Sequence, residues 1–262
     1  MKKVTSEKVV ERRRGIQSVE IGLNVLQALN GLGGPSTLTA ISQASDMAPP
    51  QAHRYLQSLI ATGMALQDPG TGRYDLGPAA IKIGLASLAR TDAFKLVDRF
   101  VSAFVLERGE TVQIAALGPL GPTIVRWYSG SPGVTTSLTV GSVLSLLHSA
   151  TGRVFMCFAQ DTETASLAAK ELKRAPIKKS DLKATLDEVR SRGRATVSGS
   201  VIPGLNAVAF PIFNLQGSVI LTATLLWPAE RTDPARSASI EDLAQVCREV
   251  SLQLGWSDTH SS

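Results

Sequence analysis

The segment from Leu38 to Leu59, which reads LTAISQASDMAPPQAHRYLQSL, constrains the fold more than any other part of the chain. A short helix is predicted over about residues 40–45, with the Thr39 hydroxyl as the N-cap acceptor for free backbone N–H groups. Residues 46–47 then make a tight turn. The proline pair at 49–50 opens a second helix, because a proline in the first turn loses no intrahelical hydrogen bond. Two helices joined in this way form a helix-turn-helix.

The flanks of this segment extend the pattern to a winged form of the motif. An amphipathic helix precedes it and ends at GLGGP (31–35), because glycine and proline stop a helix. The stretches MALQ (64–67) and RYDL (73–76) can pair as a hairpin around the turn DPGTG (68–72). Residues 16–77 are therefore predicted to form one winged helix-turn-helix domain. The predicted apolar face of its first helix consists of Ile16, Val19, Leu23 and Leu26.

This domain is predicted to bind DNA through the start of the second motif helix. Such a helix fits the major groove and brings its N-terminal side chains to base edges. Gln51 can pair its amide with adenine, Arg54 can contact a phosphate or guanine, and Arg73 can contact a phosphate or enter the minor groove. Ordinary solvated side chains are the alternative for all three. Ala52 also shares the face of Leu56 that should pack inward. The candidate DNA contacts are Thr39, Pro49, Pro50, Gln51, Ala52, His53, Arg54 and Arg73.

The charge of the chain is concentrated near its N-terminus. The formal net charge is +5. Residues 1–90 carry 10 Lys and Arg against 6 Asp and Glu, whereas residues 91–262 carry 17 against 16. An excess of +4 in the smaller part of the chain favours a polyanionic partner. Residues 1–15 are expected to form a disordered basic arm, in which arginines 12–14 either enter a minor groove or belong to a solvated tail.

A linker helix and a second domain are predicted beyond the wing. The linker covers residues 78–90, and its apolar stripe of Ile81, Leu85 and Leu88 packs either on its own domain or on a second subunit. Residues 91–258 alternate helical and strand-like patterns, which indicates an α+β domain. The predicted helices are a segment near 94–104, then 149–159, 163–173, 181–192 and a segment near 240–254, and the predicted strands are 111–117, 123–128, 134–140, 206–213 and 218–227.

Several classes of protein are disfavoured by what the sequence lacks. The two cysteines are far apart, so neither a metal cluster nor a disulfide framework is expected. The sequence holds three histidines and none of the GxSxG, GxxxxGK, HExxH or GxGxxG motifs, so we expect no enzyme, cofactor or metal. No apolar run approaches the roughly 20 residues of a membrane span, and residues 1–15 lack the apolar core of a signal peptide. A cytoplasmic protein is expected.

Long stretches of the chain resemble the IclR family of bacterial transcriptional regulators. SVEIGLNVLQALN, the motif segment and GRYDLGPAAIKIGLASLA resemble its N-terminal domain. The family's "His-Arg-Leu-Leu" run reads His53-Arg54-Tyr55-Leu56 here, and Pro50 stands where many members have serine. SATGRVF (149–155) is similar to the family's "ATGKALL" segment, and PGLNAVAFPIFNLQG (203–217) to its "PGVRCVAAPVFDADG" segment.

The resemblance implies a GAF-like α/β effector-binding domain that takes a small organic acid or aromatic compound. It also implies a homodimer or a dimer of dimers on operator DNA, and regulation of a catabolic operon. For each candidate effector residue, simple packing of the sheet is the alternative. A C-terminal domain that only dimerises, or an enzyme, are the alternatives for the whole chain. Carried over by position, the candidate effector contacts are Ala150, Thr151, Leu205, Asn206, Ala207, Thr224 and Leu226.

Overall fold

The computed structural model describes residues 15–230 and 234–257. Contacts between residues divide the chain into an N-terminal unit, Met1–Thr91, and a C-terminal unit, Asp92–Ser262. Apart from Gly15, the predicted basic arm lies outside the described residues, as does His260.

The N-terminal unit is a three-helix domain with a small hairpin, followed by one more helix. A buried core of Val25, Leu29, Ile41, Leu56, Ala65 and Tyr74 joins the three helices to the hairpin, which we call the wing. The predicted winged helix-turn-helix is therefore confirmed. Its elements are α1 (Gln17–Gly31), α2 (Leu38–Ala44), α3 (Pro49–Ala61), β1 (Ala65–Gln67), β2 (Tyr74–Leu76) and α4 (Pro78–Arg90).

The N-cap of α2 is Thr37 and not Thr39. The Thr37 hydroxyl accepts the Ala40 N–H at 3.3 Å, and the helix begins at Leu38. Thr39 is the second residue of the helix, so it does not occupy the flanking position from which a cap accepts. The helix ends at a turn in which Asp46 has a φ of 50°, a left-handed conformation that aspartate adopts more readily than most residues.

The predicted apolar face of α1 is also wrong. Ile16, Val19 and Leu23 are between half and almost three-quarters exposed, whereas Val25 and Leu29 are buried. The helix carries apolar residues on two sides, and periodicity alone cannot say which side meets α2 and α3. The residues that pack are those at the C-terminal half of α1.

The C-terminal unit is a five-stranded antiparallel sheet with helices on both faces. The strand order is β4-β3-β7-β6-β5. Helices α5 and α9 cover one face, and α6 covers the other with α7 and α8 behind it. The predicted α+β class is confirmed. The elements are α5 (Ala93–Arg108), β3 (Thr111–Gly118), β4 (Gly121–Tyr128), α6 (Ala150–Phe158), α7 (Asp161–Arg174), α8 (Lys179–Arg192), β5 (Ala195–Ser198), β6 (Leu205–Phe213), β7 (Val219–Pro228) and α9 (Arg236–Gln253).

The strand predicted at 134–140 is a loop. Its β-branched composition favours a strand, but the chain reaches the outer edge of β4 only at Gly141–Leu144. There the Ile124 N–H donates to the Ser142 carbonyl at 2.9 Å, and two further backbone bonds follow. The loop instead brings Leu138 over the sheet. The short strand β5, which sequence reasoning missed, closes the opposite edge.

Replacing Thr37 by alanine tests the cap. Loss of the hydroxyl leaves the Ala40 N–H without its acceptor, which costs about 1 kcal/mol. We expect amide hydrogen exchange in α2, followed by mass spectrometry of its peptides, to accelerate about fivefold. Thr39→Ala is the matched control and should leave exchange nearly unchanged. Equal acceleration in both variants would contradict the assignment.

Candidate functional site

The first turn of α3 presents an exposed polar face. Gln51, His53 and Arg54 are exposed, as are both prolines at 49–50. The prolines supply no N–H, and the Gln51 N–H donates to the Ala48 carbonyl at 3.0 Å. This helix start therefore offers few free backbone donors to a phosphate. Any contact with DNA here must come from side chains.

Ala52 does not belong to this face. Its side chain has no exposed surface, because it points with Leu56 toward the helices that form the core. The assignment of Ala52 as a DNA contact is wrong, whereas its alternative assignment to the packed face is right. Helical spacing explains both facts, since residues one apart point in different directions.

A hydrogen bond joins α3 to the wing. The Nδ1 atom of His53 lies 3.1 Å from the hydroxyl of Tyr74, a residue of β2 that is only 2% exposed. This is the one hydrogen bond of that hydroxyl within the described ranges. A buried phenol that donates to Nδ1 leaves the proton of a neutral imidazole on Nε2. His53 would then present an N–H donor outward.

The wing tip carries charges of both signs. Arg73 is exposed, and its guanidinium donates to the Pro35 carbonyl at 3.1 Å. Hydrogen bonds from the Thr71 hydroxyl and the Gly70 N–H hold the pKa of Asp68 below its ordinary value. Asp68 is therefore ionised at neutral pH, and it opposes part of the positive charge that Arg73 brings to the wing. Sequence reasoning treated Asp68 as a turn residue only.

A cavity lies between the sheet and the start of α6 in the C-terminal unit. We call it the α6 cavity. It brings together the predicted effector contacts from α6, β6 and β7 with one exception. Its lining comprises Gln113, Leu138, Leu144, Ser149, Ala150, Thr151, Val197, Val201, Ile202, Leu205, Ala207, Thr224 and Leu226.

The exception is Asn206, whose assignment as an effector contact is wrong. Successive side chains of a strand point to opposite faces of the sheet. Leu205 and Ala207 line the α6 cavity, so Asn206 between them faces the layer of α5 and α9. Of the three candidate contacts predicted on this strand, Leu205 and Ala207 line the cavity and Asn206 does not.

A chain of hydrogen-bonded side chains crosses the floor of the cavity. The Nε2 atom of Gln113 donates to the Thr151 hydroxyl at 3.2 Å, and the hydroxyls of Thr151 and Thr224 are 2.9 Å apart. Gln113 and Thr224 are direct partners of β3 and β7. Sequence reasoning missed Gln113. The available signal was a single amide within the apolar run TVQIAAL.

The N-terminus of α6 forms one wall of the cavity. The Ser149 hydroxyl caps it by accepting the Gly152 N–H at 2.9 Å. The N–H groups of Ala150 and Thr151, at the first two helical positions, have no acceptor within the helix. Such a helix start favours an anion. No charged side chain lines the cavity among the residues that the structure describes.

The loop before α6 is held by a carboxylate from α7. Glu171 accepts hydrogen bonds from the Ser145 hydroxyl at 2.7 Å and from the N–H groups of Leu146 and Leu147 at 2.6 Å and 3.1 Å. The guanidinium of Arg153 adds a bond to the Leu147 carbonyl at 3.1 Å. Both charged groups act on the loop from outside the cavity lining.

The cysteines do not suggest nucleophilic chemistry. Burial raises the pKa of the Cys157 thiol to about 11, and burial raises the pKa of Cys247 as well. Both thiols are therefore protonated at neutral pH, and the thiolate is the reactive form.

Within residues 15–230 and 234–257, no cluster of His, Cys, Asp and Glu is arranged to hold a metal ion. In the same ranges, no helix is long and apolar enough to span a bilayer.

Comparison with known protein families accounts for both units. The sequence model described as "IclR helix-turn-helix domain" matches residues 18–69. The model described as "Bacterial transcriptional regulator IclR C-terminal" matches residues 85–252. This chain belongs to the IclR family of bacterial transcriptional regulators. As a member of that family it is a DNA-binding regulator and not an enzyme.

Individual IclR-family proteins are similar to this chain over most of its length. The chain is 33% identical to HmgR of Pseudomonas aeruginosa, with a TM-score of 0.82 over 93% of this chain and 100% of that one. It is 28% identical to the HTH-type transcriptional repressor AllR of Klebsiella pneumoniae over 249 residues, which are 93% of this chain and 92% of the repressor. An IclR homologue of Microbacterium hydrocarbonoxydans, crystallised with 4-hydroxybenzoate, shares the fold at 17% identity and a TM-score of 0.51, covering 90% and 98% of the two chains.

Replacing Tyr74 by phenylalanine tests the link between α3 and the wing. In the native protein we expect nitrogen chemical shifts of the His53 ring that correspond to the Nε2–H form. Loss of the phenol removes the donor to Nδ1, so Tyr74→Phe should shift the ring toward a mixture of both neutral forms. Long-range proton–nitrogen NMR at alkaline pH, where imidazole is neutral, measures this, and His148 serves as the internal control. Native shifts of the Nδ1–H form would contradict the proposed direction of the bond, and an unchanged His53 spectrum in the variant would contradict the bond itself.

Proposed function

We propose that this IclR-family regulator binds double-stranded operator DNA with its N-terminal unit and a single-ring aromatic carboxylate with its C-terminal unit, and thereby controls a catabolic operon. The α6 cavity is the observation that carries the proposal. A dimerisation domain needs no internal cavity with a hydrogen-bonded floor, whereas a ligand site combines an apolar wall with a few placed polar groups.

The chemistry of the cavity lining supports the ligand class. Ala150 and Ala207 keep the walls short, and the leucines around them favour an apolar ring. The N–H groups of Ala150 and Thr151 can donate hydrogen bonds to a carboxylate without a cationic side chain. The 4-hydroxybenzoate held by the Microbacterium homologue belongs to the same chemical class.

The DNA face is proposed from exposure and charge. Gln51 and Arg54 on α3 are exposed where major-groove base edges would lie, and Arg73 on the wing is exposed and would contact a phosphate. Thr39 and His53 are also exposed and would donate to phosphates, and the exposed prolines at 49–50 would pack against the DNA backbone. Because its target is the bacterial chromosome, we place the protein in the cytoplasm.

A symmetric assembly is proposed from the exposed apolar residues of α4. Ile81 and Leu85, which share one face of α4, are each 62% exposed. A second subunit that covers this stripe would produce a homodimer, and two homodimers would produce a dimer of dimers. Two-fold symmetry would match a pseudo-palindromic operator with half-sites one helical turn, or a multiple of it, apart.

The proposed regulation is thermodynamic linkage. A ligand changes the operator affinity only to the extent that it binds the DNA-competent and DNA-incompetent arrangements with different affinity. The linker helix α4 would transmit the arrangement of the C-terminal units to the spacing of the winged units. Equal operator affinity and equal promoter output with and without a bound aromatic acid would contradict this mechanism.

A thermal unfolding screen with aromatic acids tests the ligand site. A ligand at about 100 times its Kd stabilises a native domain by about 2.7 kcal/mol, so the C-terminal unit should melt about 5–10 °C higher. Ala207→Leu, which extends a side chain into the cavity, should abolish the increase while the unliganded protein stays folded. Absence of any increase across a broad panel would favour the alternative in which the C-terminal unit only dimerises.

Two substitutions separate base recognition from phosphate contact. Gln51→Ala should cost about 1–3 kcal/mol on the cognate operator and relax the sequence preference. Arg73→Ala should weaken binding to all sequences alike and reduce the slope of log affinity against log salt by about 1. Fluorescence anisotropy across salt concentrations measures both effects. Gln57→Ala, another exposed glutamine of α3, is the matched control, and an effect there equal to that at Gln51 would contradict the proposed face.

A further inference from the structure

One polar atom of the α6 cavity has no partner. The side chain of Gln113 is 2% exposed, and its Oε1 atom accepts no hydrogen bond from the described residues. Buried carbonyl oxygens in folded proteins are nearly always hydrogen-bonded, because an unsatisfied one has lost its water without compensation. An orphan acceptor in the lining of a cavity therefore points to a donor that arrives with the ligand.

The rest of the polar chain holds the amide in place. The Nε2 atom of Gln113 donates to Thr151, and Thr151 is in turn bonded to Thr224. Both threonines are 1% exposed, so water does not compete for these bonds. With its nitrogen engaged in this way, the amide presents its oxygen as the available atom. The floor of the cavity thus offers a hydrogen-bond acceptor, the Gln113 Oε1 atom, whereas the start of α6 offers backbone N–H donors.

We propose that the effector carries an uncharged ring hydroxyl that donates to Gln113 Oε1, and that Gln113 selects hydroxylated aromatic acids over unsubstituted ones. This inference rests on the proposed function of the α6 cavity. A hydroxyl fits because it donates while neutral. An ammonium group would be buried without a carboxylate to pair with it, and a carboxylate oxygen would face another acceptor. The acid group is therefore assigned to the N–H groups of Ala150 and Thr151.

The prediction is tested first with the unaltered protein. Isothermal titration calorimetry compares benzoate, its three ring-hydroxylated isomers and the methyl ethers of those isomers. We expect at least one hydroxylated isomer to bind about tenfold more tightly than benzoate, the difference that one well-placed hydrogen bond supplies. Its methyl ether, which keeps the oxygen and loses the donor, should lose that advantage. Equal affinity of benzoate and every hydroxylated isomer would overturn the inference and leave the proposed function standing.

The substitution Gln113→Met then assigns the effect to one atom. Methionine has a similar length and no strong acceptor, so the preference for the hydroxylated isomer should fall to within about twofold while benzoate binds as before. A preference that survives in Gln113→Met would overturn the assignment. Loss of benzoate binding in a variant that melts like the native protein would overturn it too, because Gln113 would then hold the carboxylate. If no aromatic acid binds the native protein, both the inference and the proposed ligand class fail.

Discussion

The close approach of α6 to the loop before it is the constraint on which the C-terminal unit depends. A Cβ atom at position 152 would lie 2.3 Å from the carbonyl oxygens of Ser145 and Leu146, so only glycine allows this packing. The Ser149 cap and the three hydrogen bonds to Glu171 hold the same turn in place. These contacts together hold the first turn of α6 in a fixed position over the sheet. The space between this turn and the sheet is the α6 cavity.

That position of α6 also determines the chemistry of the cavity. It brings Thr151 within hydrogen-bond distance of Gln113 on β3 and Thr224 on β7, and it places the start of α6 in the wall of the cavity. The cavity therefore combines a helix start, a side-chain amide and apolar walls. The proposed effector, which is acidic at one end, apolar in the middle and hydroxylated elsewhere, would match all three.

The winged unit likewise depends on hydrogen bonds between segments that are distant in sequence. Tyr74 and Ser36 exchange two backbone hydrogen bonds of 2.8 Å, and the Tyr74 hydroxyl reaches His53 on α3. The wing and the exposed face of α3 are thereby parts of one surface. The family membership of the chain gives that surface its role in DNA binding, while Gln51 and Arg73 are proposed to divide base and phosphate recognition between them.

The sequence by itself determined most of the elements and their order, since turn residues, capping residues and periodicity act between near neighbours. The exceptions are strand β5 and the loop at 134–140. The sequence also identified the helix-turn-helix at 38–59 and the segments that surround the cavity. Only the tertiary structure decided which way individual side chains point. Asn206 faces away from the cavity and Gln113 lines it, because the partner elements select the buried side. That selection depends on packing between elements that are distant in sequence. A local pattern with apolar residues on two sides therefore does not predict which side is buried.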